Sequence, residues 1–76
     1  MPRFYFDIYD GADIRDEVGR ILTSKQSVRQ EALKVALNLL AAEAADARES
    51  ALVLTVRDEA GKTSLRIRVV SQIEES

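Results

Sequence analysis

Ala51-Leu52-Val53-Leu54-Thr55-Val56-Arg57 and Thr63-Ser64-Leu65-Arg66-Ile67-Arg68-Val69-Val70 carry the clearest pattern in the chain. Both alternate apolar and polar residues, the period-two signature of a half-buried strand. Leu52, Leu54 and Val56 share one face of the first segment. Leu65, Ile67 and Val69 share one face of the second. Asp58-Glu59-Ala60-Gly61 between them is turn chemistry. Both apolar faces must lie on the same side of the sheet, so Val56 is expected opposite Leu65. That register sets Asp58 opposite Thr63 and leaves Glu59 to Lys62 as a four-residue loop. A three-residue loop would need a bulge to keep both faces inward.

Working back along the chain, Lys25 to about Ala47 contains no Gly or Pro and is rich in strong helix formers. Thr23 with Gln26, or Ser24 alone, supplies the N-cap. Glu43, Asp46 and Glu49 oppose the helix dipole near its end, so the last turn is expected to fray. At 100° per residue, Val28, Ala32, Val35, Leu39 and Ala42 form a stripe expected against the sheet. Leu33, Leu37, Leu40 and Ala44 form a second stripe, with Ala36 between. A helix resting on one sheet needs an apolar arc of a little over about 100°, and this arc is wider. At about 35 Å the helix would also overhang strands of about 23 Å.

At the N-terminal side, Arg3 to Tyr9 alternates with Phe4, Phe6 and Ile8 inward. Asp10-Gly11 is a hairpin turn, and Ala12 to Arg15 forms a short return strand. Asp16-Glu17-Val18-Gly19 is another turn, and Arg20-Ile21-Leu22 leads into the helix. The order of elements gives an α+β fold of ββαββ type. It has two layers: a four-stranded antiparallel sheet in the order 2-1-3-4, with one long helix on one face. Phe4, Phe6, Ile8, Val35, Leu39, Leu54, Val56, Leu65, Ile67 and Val69 are expected to form one cluster. Residues 70–76 read as a loose polar tail.

The 76 residues are one domain's worth. Cys and His are both absent, so disulfides and thiolate or imidazole metal sites are excluded. Without such staples, a dense core or burial against another chain must supply the stability. A net charge of −2 gives no overall drive toward nucleic acid or anionic membrane. No apolar run is long enough to span a bilayer, and the opening places Asp7 where a secretory leader needs apolar residues. The expectation is a cytoplasmic protein.

Enzyme chemistry finds few parts here. No His is present to act as a base and no Cys as a nucleophile, and the Gly residues are isolated in turns. No catalytic residue, metal site or cofactor is expected. Asp7, Asp10, Asp13 and Asp16 do not match a Ca²⁺ loop and would diverge on a strand and two turns. Arg15-Asp16-Glu17-Val18-Gly19-Arg20 is echoed by Arg57-Asp58-Glu59-Ala60-Gly61-Lys62, which reads as shared turn chemistry.

Two surfaces remain. Arg3, Tyr5 and Tyr9, with Arg57, Arg66 and Arg68, would gather on the outer sheet face, where Tyr and Arg can stack single-stranded bases. Asp7 in their midst and the acidic total argue against nucleic acid. The second stripe of Leu33, Leu37, Leu40 and Ala44 is either covered by Ile21 and Leu22 or meets another chain. A two-fold homodimer is favoured. The leading reading is thus a non-enzymatic interaction or regulatory module acting as a homodimer, with a weak single-strand binder as the alternative.

The opening Met1-Pro2-Arg3-Phe4-Tyr5-Phe6-Asp7-Ile8, the turn Asp16-Glu17-Val18-Gly19, the helix segment Val28-Arg29-Gln30-Glu31-Ala32-Leu33 and the hairpin Val56-Arg57-Asp58-Glu59-Ala60-Gly61 together resemble a family. It comprises small bacterial proteins of unknown function, common in alphaproteobacteria. Its members open M-P-R-Y-F-F-D and carry a V-R-D-E-x-G hairpin. The resemblance spans nearly the whole chain and implies a bacterial cytoplasmic stand-alone domain. It supplies no activity, cofactor or site residue. This chain departs from the pattern at Val18, commonly an acid or small polar residue, and at Ser24, often Asp.

Overall fold

Strand alternation and helix propensity produce six elements. They are β1 (Arg3–Tyr9), β2 (Asp13–Ile14), β3 (Arg20–Ile21), α1 (Lys25–Ala44), β4 (Glu49–Arg57) and β5 (Thr63–Gln72). The structure, a computed structural model, describes residues 2–76; Met1 of the family-like opening lies outside the described residues. The sheet is antiparallel, in the order β2-β1-β4-β5, and the two-residue β3 also pairs with β1. The main path has the expected 2-1-3-4 arrangement, with β3 as an addition. Among the described residues, no helix is long and apolar enough to cross a membrane.

In the β4/β5 hairpin, Val56 lies opposite Leu65, Leu54 opposite Ile67 and Leu52 opposite Val69. The four-residue loop is corrected to three. The Asp58 N–H donates to the Lys62 carbonyl at 2.8 Å, which encloses Glu59 to Gly61. Arg57 then faces Thr63, and the register shifts between Val56 and Arg57, so Ser64 is the extra residue of a bulge. The cause is Asp58, whose Oδ1 accepts the Ala60 and Lys62 N–H groups at 2.9 Å each and tightens the turn. β5 also runs to Gln72, and the Ile73 N–H bonds the Arg48 carbonyl. The loose tail expected from residue 70 therefore begins beyond Ile73.

The helix begins at a capping box in which Ser24 and Ser27 exchange side-chain to backbone bonds. It ends at Ala44, three residues before the expected Ala47. Val28, Ala32 and Ala36 are its buried residues. With no side chain beyond Cβ, Ala32 and Ala36 bring the helix down onto the sheet. Leu52, Leu54 and Val56 are buried beneath, with Phe6 beside them. The expected cluster forms apart from one member. Leu39 and Ala42, expected inward, are exposed, whereas Leu40, expected on the second stripe, packs against the core. Leu39 lies one turn beyond Val35 on the flank facing β1 and β2, and the short β2 offers it little cover.

β1 is paired at both ends of its outer edge, by β3 at Arg3 and Phe4 and by β2 at Ile8 and Tyr9. The gap at Phe6 is filled by a side chain. Asp16 Oδ2 accepts the Phe6 N–H at 3.0 Å, and Oδ1 accepts those of Val18 and Gly19 at 3.0 Å each. Partial burial pushes the Asp16 carboxyl up, but these three donors, with Arg20 nearby, hold it below the usual aspartate range. Gly19 closes the turn at φ +74, and a Cβ there would lie 2.9 Å from the Phe4 carbonyl oxygen.

Three outcomes test this packing. Leu54→Ala should cost about 2–5 kcal/mol in chemical denaturation, and Leu39→Ala well under half of that. Gly19→Ala should destabilise more than Gly61→Ala, because both positions have positive φ but only Gly19 lacks room for a Cβ. Asp16→Asn should cost about 1–3 kcal/mol at neutral pH. A carboxylate with a lowered folded pKa stabilises above its unfolded value of about 4 and loses that contribution as pH falls. The gap between wild type and Asp16→Asn should therefore close as denaturation is repeated from pH 6 down to about pH 2.

Candidate functional site

Strand alternation puts Arg3, Tyr5, Asp7 and Tyr9 on the outer face of β1, away from the helix. The register aligns Tyr5 with Arg57, and Asp7 with Thr55 and then Arg66. Tyr9 aligns with Val53 and then Arg68. The expected gathering of Tyr5, Tyr9, Arg66 and Arg68 on one face therefore occurs. What they are engaged in differs from the base-stacking expectation.

Arg57 is at the centre of a lock. Its Nε donates to Asp7 Oδ2 at 2.7 Å and its Nη2 to the Asp16 carbonyl at 2.7 Å. Its guanidinium lies 4.5 Å from the centroid of the Tyr5 ring, a cation–π contact. Asp7 Oδ1 accepts the Asp16 N–H at 2.8 Å. The group ties β1, β4 and the Asp16 turn together and covers one face of Tyr5 with the chain's own cation. Arg3 is also engaged: its Nη1 donates to the Val18 carbonyl and its backbone N–H to Glu59 Oε1. Arg66 Nε donates to Thr55 Oγ1 at 3.2 Å. Tyr9, half exposed at the far end, and Arg68 complete the face.

The four spaced acids part company. Asp7 and Asp16 serve the lock and the β1 edge, while Asp10 Oδ1 accepts the Ala12 N–H within its own turn. Asp10 also approaches the helix end. The nearness of the Asp10 carboxyl, which favours a proton shared between the two and repels a second negative charge, together with some loss of hydration, raises Glu43 above the usual range. The echoed turns share their chemistry: Asp16 and Asp58 each gather two backbone amides of their own loops, and Gly19 and Gly61 each take positive φ.

The second surface lies on the helix. Leu33 and Leu37 are 43% and 49% exposed, while Leu40 and Ala44 are partly covered. Leu33 lines a groove with Leu65, Ile67, Arg66 and Arg68, which sets this flank beside β5. Ile21 pairs with β1 at the opposite edge of the sheet, and Leu22 packs into the core. Neither is placed to cover Leu33 and Leu37. The flank facing β1 is closed instead by Arg20, which ion-pairs with Glu31 and lies over the Phe6 ring. The Asp7–Arg57 pair was legible as opposite charges on one face of adjoining strands. The tie from Arg20 to Glu31 and the use of Asp16 as a strand substitute had no periodic signal.

Comparison with curated proteins and with solved structures gives no match. A family model does match, over residues 3–71, from the first residue of β1 to the penultimate residue of β5. The chain belongs to the family described as Domain of unknown function (DUF6894).

Proposed function

We propose that this domain is a non-enzymatic interaction or regulatory module of the bacterial cytoplasm that acts as a homodimer. The observation that carries this reading is the exposed pair Leu33 and Leu37, one helical turn apart, with Leu33 on the helix flank beside β5. Among the described residues seven hydrophobic residues are buried in the core, and Cys is absent, so covering two leucines would add to a small core. The original four-residue interface set narrows to Leu33 and Leu37 at its centre, with Leu40 and Ala44 at its margin. Single-strand binding has Tyr9 and Arg68 in its favour, but Arg57 already occupies the Tyr5 face.

At micromolar concentration the protein should sediment near twice its 8.5 kDa chain mass. Leu37→Glu should sediment near once that mass and keep its helical circular dichroism, because Leu37 is not part of the core. A wild type that stays monomeric at every concentration would refute the dimer. Gel shifts with mixed single-stranded DNA and RNA at low salt should show no complex. A complex that weakens steeply with salt and in Arg68→Ala would favour the single-strand reading instead.

A further inference from the structure

Two unmet needs run along one seam. Leu33 lines the helix flank above β5, Leu37 follows it one helical turn on, and β5 is the terminal strand of the sheet. The Ile73 N–H points to the carbonyl of Arg48, the residue before β4, so the alternation of an antiparallel ladder turns the amides of Arg66, Arg68, Val70 and Gln72 to the open edge. Val70, on the outer face, is 66% exposed. This edge is ten residues long, and among the described residues no other strand pairs with it. Such an edge pairs readily unless it is blocked.

We infer that β5 pairs antiparallel with β5 of a second copy about a two-fold axis at Val70, joining the two sheets into one. The inference rests on the homodimer reading and specifies its geometry.

Three observations favour the second copy and this register. First, the helix packs over β4 and β5. With strands about 4.8 Å apart, two such helices related by an axis beside β5 lie about 10 Å apart. That is the ordinary spacing of packed helices, about 8–10 Å, so strand pairing and the meeting of the leucine flanks are compatible. Secondly, only registers centred on a residue keep both core faces inward. An axis at Ile67 sets Arg66 opposite Arg68 of the copy, and an axis at Arg68 sets that arginine against itself. Both are disfavoured by like charge. Thirdly, an axis at Val70 pairs Arg68 with Gln72 of the copy and Val70 with itself, and, where the pairing draws the two residues after β5 into the ladder, Ile67 with Ile73 and Arg66 with Glu74. Ile73, 38% exposed in the single chain, is covered on its core side.

Residues 66 to 74 are thus complementary to their own reverse in charge and in apolar match. An edge kept solitary would be expected to break that match with a proline or an inward charge.

The chain has no Cys, so a single introduced one is a clean probe. Directly opposed residues in a hydrogen-bonded pair are about 5.5 Å apart at Cα, within disulfide range. Val70→Cys should form a disulfide-linked dimer on mild oxidation. Val18→Cys, as exposed but near the opposite edge, should not. Arg66→Glu and Glu74→Arg should each weaken association about tenfold, since the symmetry repeats each like-charge clash. The double variant should return to within about twofold of wild type. A wild-type dimer in which Val70→Cys links no faster than Val18→Cys, and the double variant gives no rescue, would overturn strand pairing while leaving the homodimer intact. A wild type that never dimerises would overturn both.

Discussion

The contact of Ala32 and Ala36 with the inner face of β4 is the constraint on which the rest of this fold depends. Two alanines let the helix sit low, so Leu52, Leu54 and Val56 are buried by backbone proximity as much as by side-chain bulk. The same closeness centres the helix over β4 and β5 rather than over the whole sheet. β1 then lies to one side, and its inner residues Phe4, Phe6 and Ile8 need cover from elsewhere. A larger residue at either alanine would lift the helix from β4 and open the core along its length.

From that offset follows a difference between the two flanks. On the β1 side, the chain between the first hairpin and the helix closes the gap. Leu22 packs into the core, and Arg20 spans Phe6 to reach Glu31. The Asp16 turn finishes the edge by lending a carboxylate to the Phe6 amide, and Asp7 with Arg57 anchors that turn from the outer face. On the β5 side no segment among the described residues plays this part. Leu33 and Leu37 remain exposed above an edge whose amides lack partners within the sheet. One surface of the same chain, brought up by a two-fold axis, would answer both needs together.

Much of this was readable in the sequence because strand alternation and hairpin register are local. The pairing of Val56 with Leu65 followed from keeping two apolar faces on one side, and the order of the main strands from the hairpins and the helix between them. The loop length was misjudged because Asp58 captures two amides, an event of side-chain geometry that a residue pattern does not encode. Leu39 and Leu40 exchanged roles because a helical wheel records angle and ignores what lies beneath. At the level of Leu39, the neighbouring β2 is only two residues long. β3 was missed because a two-residue strand has no period. Among candidate sites, the Tyr and Arg residues did gather on one face. Their engagement with Asp7, Asp16 and Thr55 depends on the fold of residues 13 to 21, which the sequence left least determined.

Amide hydrogen exchange at β5 tests the account most directly. The amides of Arg68, Val70 and Gln72 face away from β4 and, in the proposed strand pairing, meet a partner in a second copy. They should exchange slowly at high protein concentration and speed up on dilution, while those of Ile67 and Val69, bonded to β4 within the chain, stay slow throughout. Fast exchange of Arg68, Val70 and Gln72 at every concentration, with Ile67 and Val69 still protected, would show an edge that never pairs and would contradict the account.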